Sequence, residues 1–133
     1  MKTTTPTMYK EELLEIYSNK ENFGELKNKT HQVSQRNPFC NDEIIIDLEI
    51  KNNKIVNAKF RGISCFISTI SAAVLTEKIK GMTIEQVKAL SKKDLDNLLG
   101  INITPGRIPC ELMPLEALKK LNNDGVENEN NFS

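Results

Sequence analysis

The sequence predicts an α+β fold: a small antiparallel β-sheet with helices packed on one face. Residues 44–51 and 56–61 alternate apolar and polar around Asn52-Asn53, the period of two expected of half-buried strands joined by a tight turn. From residue 63 the apolar spacing lengthens to three and four, and capping residues and glycine stops divide the remainder into helices. The 133 residues, 38% of them hydrophobic, supply one core and leave no room for a second.

The elements follow in order. Residues 1–8 are Thr-rich and expected to be loose, residues 9–122 form the single domain, and the Asn/Glu-rich residues 123–133 are expected to be a disordered tail. A first helix is expected from Tyr9 to about Ser18, with Leu13, Leu14 and Tyr17 spaced for one face. Asn19 to Arg36 is polar and reads as a loop with a short edge strand near Thr30–Gln35; His31 within it reads as exposed and inert. Asn37-Pro38 signals a turn. In the hairpin, Ile44, Ile46, Leu48 and Ile50 face inward, and Ile45, Asp47, Glu49 and Lys51 outward. Val56, Ala58 and Phe60 form the inward set of the second strand, which Gly62 ends.

The helical half begins with a stripe of Ile63, Ile67, Ile70 and Val74, with Ser64 as N-cap, running to about Lys80 and stopping at Gly81. Thr83 to Gln86 has capping-box spacing and opens a short helix to about Leu90. Ser91 opens another with Leu95, Leu98 and Leu99 inside and Gly100 as its stop. Ile101 to Gly106 is a turn-prone connector. Leu115, Leu118 and Leu121 define a last helix, with Pro109 or Pro114 in its first turn.

Composition narrows the function. Lys+Arg and Asp+Glu both number 18, so no net field draws the chain to nucleic acid or anionic lipid. Aromatics are 5% with no Trp, too few for a base-stacking platform. The most apolar stretch, Ile63 to Leu75, is interrupted by Ser and Thr and is shorter than the roughly 20 residues that span a bilayer. The N-terminus has no signal-peptide core, so a soluble cytoplasmic domain is expected.

Three cysteines remain. A free Cys read alone is most often a small buried hydrophobe. Here Cys40, Cys65 and Cys110 all sit at element edges: in Asn-Pro-Phe-Cys-Asn-Asp, at a helix start, and in Arg-Ile-Pro-Cys. Matching the two apolar faces of the hairpin requires paired residue numbers to sum to 104 or 106. Continued past the strand ends, that register places Cys40 opposite position 64 or 66, beside Cys65. Asp42 follows Cys40 by two and shares its direction in an extended segment. Cys65 near a helix N-terminus is placed to ionise. Thiolates with one carboxylate suit iron or zinc, and Cys110 is the candidate fourth ligand, although nothing local brings it there.

At these residues the chain resembles the NifU/IscU family, the U-type scaffolds of iron–sulfur cluster assembly. The resemblance covers roughly Tyr9 to Leu121 and is carried by Cys40 with Asp42, by Lys59 to Ser68 around Cys65, by Leu75-Thr76 and Lys80-Gly81, and by Arg107-Ile108-Pro109-Cys110. Asn22-Phe23-Gly24 is similar to the family's Asn-x-Gly. Asn41 and Ser64 stand where the family has Gly, and Pro109 where IscU proteins have His. Ile103-Thr104-Pro105-Gly106-Arg107 replaces Leu-Pro-Pro-Val-Lys. Arg107 matches the SufU branch, whose insertion before the third Cys has no counterpart in the 44 residues between Cys65 and Cys110.

The resemblance implies a SufE/NifU-like fold and a scaffold that assembles a [2Fe–2S] cluster on Cys40, Asp42, Cys65 and Cys110, then transfers it. The implied partners are a cysteine desulfurase and apo iron–sulfur proteins, with the chain a monomer or homodimer. The alternative is a SufU-like sulfurtransferase in which the same four residues bind Zn²⁺. In either case Cys110 is the candidate persulfide acceptor. Arg107, Lys59 and Arg61 are expected near the site, where they would meet an acidic desulfurase.

Overall fold

The structure is a computed structural model that describes residues 15, 21–37, 42–63, 65–100 and 103–121. Three antiparallel strands, β1 (His31–Asn37), β2 (Asp42–Lys51) and β3 (Lys54–Ile63), form one sheet in the order β1-β2-β3. Helices α1 (Phe66–Lys78), α2 (Ile84–Lys88) and α3 (Lys92–Leu99) follow, then a 3₁₀ turn (Pro105–Arg107) and α4 (Ile108–Leu118). Helices α1 and α4 pack on each other and on one face of the sheet, giving the expected α+β architecture. None of the described helices is long and apolar enough to cross a membrane. Of the expected first helix, Tyr9–Ser18, only the helical residue Glu15 is described; the tail beyond residue 121 also lies outside the described residues.

The hairpin forms as the alternation requires. Asn52 and Asn53 both take positive φ, 52° and 67°, which suits a two-residue turn matched to strand twist. From Glu43↔Ile63 to Glu49↔Asn57 the paired numbers sum to 106; beyond the register shift at Glu49/Ile50, Ile50 pairs with Ile55. Val56 is therefore the extra residue of a β-bulge, and this corrects the inward set. Ile55 is fully buried and joins Ala58 and Phe60 in the inward set, as expected of those two, whereas Val56 is exposed. Strand β3 also runs through Gly62 rather than ending there. Gly62 has φ +134°, and a Cβ on it would lie 2.1 Å from the Glu43 carbonyl oxygen, so only glycine permits this approach to β2.

The outward face of β2 is covered at its middle rather than solvated. Residues 22–24 hydrogen-bond along β3 at Phe60, and Thr30 N–H donates to the Leu48 carbonyl, so the chain between them passes over β2. There Asp47 is fully buried and accepts hydrogen bonds from Leu26 N–H, Gln32 Nε2 and Arg61 Nη1 at 3.1, 2.9 and 2.6 Å. His31, expected in a loop, instead opens β1, is buried, and meets Thr30 Oγ1 through Nδ1 at 2.8 Å. The edge strand anticipated at Thr30–Gln35 is this seven-residue β1.

Helix starts and stops follow their capping chemistry. Thr83 and Ser91 each complete a capping box, and Gly100 ends α3 in the left-handed region. Leu95 and Leu99 are buried, whereas Leu98 is exposed at the rim of α3. The buried face of α1 is Ser68, Ile70, Ser71, Ala72, Leu75 and Thr76; of the expected stripe Ile70 lies on it, while Ile67 and Val74 are only half-buried. Small residues line this face because α4 packs against it. Pro109 takes the first turn of α4 and Pro114 lies inside the helix.

Candidate metal centre

Three of the four candidate residues meet at one end of the sheet. Asp42 opens β2, where it pairs with Asn37. Cys65 is the N-cap of α1, displacing Ser64 from that expected role; Ser64 lies outside the described residues. Cys110 is in the first turn of α4. One carboxylate oxygen of Asp42 and the two Sγ atoms all lie within 4.8 Å of one another. Ligands bound at about 2.3 Å stand roughly 4 Å apart in a tetrahedral set, so these atoms need little closure to share an ion. Cys40 lies outside the described residues.

The first two arrive by the hairpin. Pairing of Glu43 with Ile63 fixes the start of β2 beside the end of β3, and Cys65 follows two residues on. Cys110 is brought in by packing. Ser68, buried on α1, donates from Oγ to the Cys110 carbonyl at 2.9 Å, which ties the first turn of α4 to that of α1.

The thiols are not equivalent. Burial on its own would raise the Cys65 thiol, but hydrogen bonds from the Ser68 and Ile67 amides and from Cys110 outweigh it, and the thiol is lowered. Burial, and then the charge and hydrogen bond of Cys65, push Cys110 up, while Arg107 opposes the rise. Cys65 thus ionises first. Arg107, exposed at the rim, interacts with both sulfurs. Lys59 and Arg61 turn elsewhere, correcting the expectation that they border the site: Lys59 Nζ donates to the Glu21 carbonyl and Arg61 binds Asp47.

Glu111, next to Cys110, serves the core instead. It is fully buried on α4 facing Asp96 and Lys92 of α3, and no donor reaches either carboxylate oxygen. Burial first, then Asp96, push its carboxyl up to about 7. Sequence reasoning missed both Ser68 and Glu111. For Ser68 the available signal was its spacing, three residues after Cys65; for Glu111 there was none, since helical acids are usually solvated.

Cysteine sulfurs and a carboxylate converging between one end of the sheet and two helix N-termini define a small α+β domain with a donor cluster of the kind that holds a metal ion. The pattern of the NifU-like N terminal domain matches residues 8–124. The chain belongs to that family. It is 31% identical over 131 residues to the zinc-dependent sulfurtransferase SufU of Bacillus subtilis, covering 86% of this chain and 88% of that protein. It is also 31% identical over 129 residues to the iron-sulfur cluster assembly scaffold protein IscU of Thermotoga maritima, covering 85% and 91%. Among solved structures, the fold is similar to a putative iron-sulfur cluster assembly scaffold protein for the SUF system from Fervidobacterium islandicum. The TM-score is 0.68 at 23% identity, over 87% of this chain and 97% of that one. The N-terminal NifU-like protein of Brucella abortus gives a TM-score of 0.67 at 14% identity, over 80% and 86%.

Proposed function

We propose that the chain is a scaffold on which an iron–sulfur cluster, [2Fe–2S], is assembled and from which it is passed on. The observation that carries this is the convergence of Asp42, Cys65 and Cys110 within 4.8 Å. Cys40, two residues before Asp42 in the sequence, completes the set. Thiolates match cluster iron well and a carboxylate less well, so Asp42 is the ligand that lets the cargo leave. The partners are a cysteine desulfurase as sulfur source and apo iron–sulfur proteins as acceptors. Anaerobic purification followed by iron and sulfide analysis and a visible spectrum tests the reading. Iron and sulfide in equal amounts, lost in each single Cys→Ser variant, are expected; a colourless protein that reconstitution leaves free of sulfide overturns it.

A second reading is favoured by Arg107 beside both sulfurs and by the likeness to the Bacillus sulfurtransferase. Here Zn²⁺ would occupy the same donors. Cys110 thiolate would attack the outer sulfur of the desulfurase persulfide, forming a new S–S bond while the old one breaks and the desulfurase leaves as thiolate. Stoichiometric zinc without sulfide in the same analysis selects this reading.

A further inference from the structure

We propose that Ser68 is a positioning residue whose hydroxyl holds Cys65 and Cys110 at their spacing before any metal arrives, and that Pro114 leaves the Cys110 carbonyl open to receive it. In an uninterrupted α-helix the carbonyl of residue 110 accepts from the amide of residue 114. Pro114 has no amide proton, so α4 leaves the Cys110 carbonyl without its helical donor. Ser68 supplies the replacement, donating to that carbonyl at 2.9 Å from a fully buried position on another helix.

The same oxygen lies 3.6 Å from Cys65 Sγ and 3.9 Å from Met113 Sδ. A hydroxyl has one proton to give and two lone pairs. The carbonyl is the stronger acceptor and the shorter contact, so the proton goes there. Toward Cys65 the hydroxyl then acts as acceptor while that residue carries its thiol proton. Replacing this proton by a metal ion empties the acceptor role but leaves the tether to Cys110 intact. One hydroxyl thus fixes the first turns of α1 and α4 against each other in either state. The tether belongs to the fold; only its consequence for metal affinity rests on the proposed function. Groups that orient ligands in this way are commonly worth 10–100-fold in metal affinity.

The test uses the full chain with two readouts: Zn²⁺ affinity by competition with a chromophoric chelator, and, in metal-free protein carrying Cys40→Ser, bridging of Cys65 to Cys110 by dibromobimane. Ser68→Ala should weaken Zn²⁺ binding about tenfold and slow bridging, while circular dichroism stays that of the folded protein. Adding Pro114→Ala restores an amide at residue 114 and satisfies the Cys110 carbonyl within α4, but it does not rebuild the link to α1, so the double variant should stay slow in bridging. A folded Ser68→Ala protein with unchanged bridging overturns the proposal. So does a loss that Pro114→Ala fully restores, which would trace the deficit to the unpaired carbonyl and not to a lost tether. If Ser68→Ala does not fold, Pro114→Ala and the double variant are compared directly; slower bridging in the double variant is expected and equal bridging overturns the tether. Bridging slowed by Ser68→Ala in a protein that binds neither zinc nor iron, Cys40 present, would uphold the tether and overturn the metal reading.

Discussion

Arg61 closes on Asp47 at 2.6 Å on the face of the sheet away from the helices, and this pair holds down the chain that crosses β2. Burial alone would raise the Asp47 carboxyl. The hydrogen bonds from Gln32, Arg61 and the Leu26 amide, with the Arg61 charge, hold it below its ordinary 3.8. Stability from this lowered carboxyl is present above 3.8 and lost as pH falls through the folded value. Asp47→Ala is expected to cost about 3 kcal/mol near neutrality, because Arg61 and two amide donors lose their acceptor. Urea unfolding should show the gap between the variant and the unaltered protein narrowing at acid pH; an equal gap at all pH values would deny the carboxylate this role.

Gly62 sets how closely β3 approaches β2 beside the candidate centre. Gly62→Ala forces a Cβ against the Glu43 carbonyl at a φ of +134°, so a loss of about 3 kcal/mol is expected, together with weaker metal binding. Thermal melts and a Zn²⁺ titration check both. An alanine variant with ordinary stability would mean that the strands can part there freely.

Glu111 gives the opposite pH signature. Its folded carboxyl titrates at about 7, above the ordinary 4.5, so the folded state favours the protonated form. The resulting cost is absent well below 4.5 and grows as pH rises through 7. In metal-free protein, Glu111→Gln should raise stability at about pH 8 by up to about 3 kcal/mol and much less at about pH 5. A variant less stable than the parent at the higher pH would show that the ionised group is well accommodated between Asp96 and Lys92.

Asp42 is the weakest donor of the proposed set. Asp42→Ala should retain part of the cluster binding and slow transfer to an apo acceptor, followed by the acceptor's own absorption or activity. Transfer at the parental rate would remove Asp42 from the exchange step.

Much of this architecture was legible because the alternation of Ile44, Ile46, Leu48 and Ile50 admits few registers, and the realised sum of 106 carries Cys65 to the start of β2. What was not legible depended on contacts between distant segments. The bulge that exchanges Ile55 for Val56 leaves no mark in the pattern. Asp47 reads as solvated until the chain around Leu26 is known to cross it. The serines of α1 look like an outer face until α4 is placed against them, and with it Cys110.

The long rim of β3 is occupied along both halves: residues 22–24 bond at Phe60, and residues 81–84 bond at Ile55 and Asn53. Unpaired strand rims are templates on which a second polypeptide can add. Traffic of a ligand at the far end of the sheet therefore meets no sticky seam along β3. The side next to the hairpin stays shut against neighbouring molecules whatever the donor cluster holds.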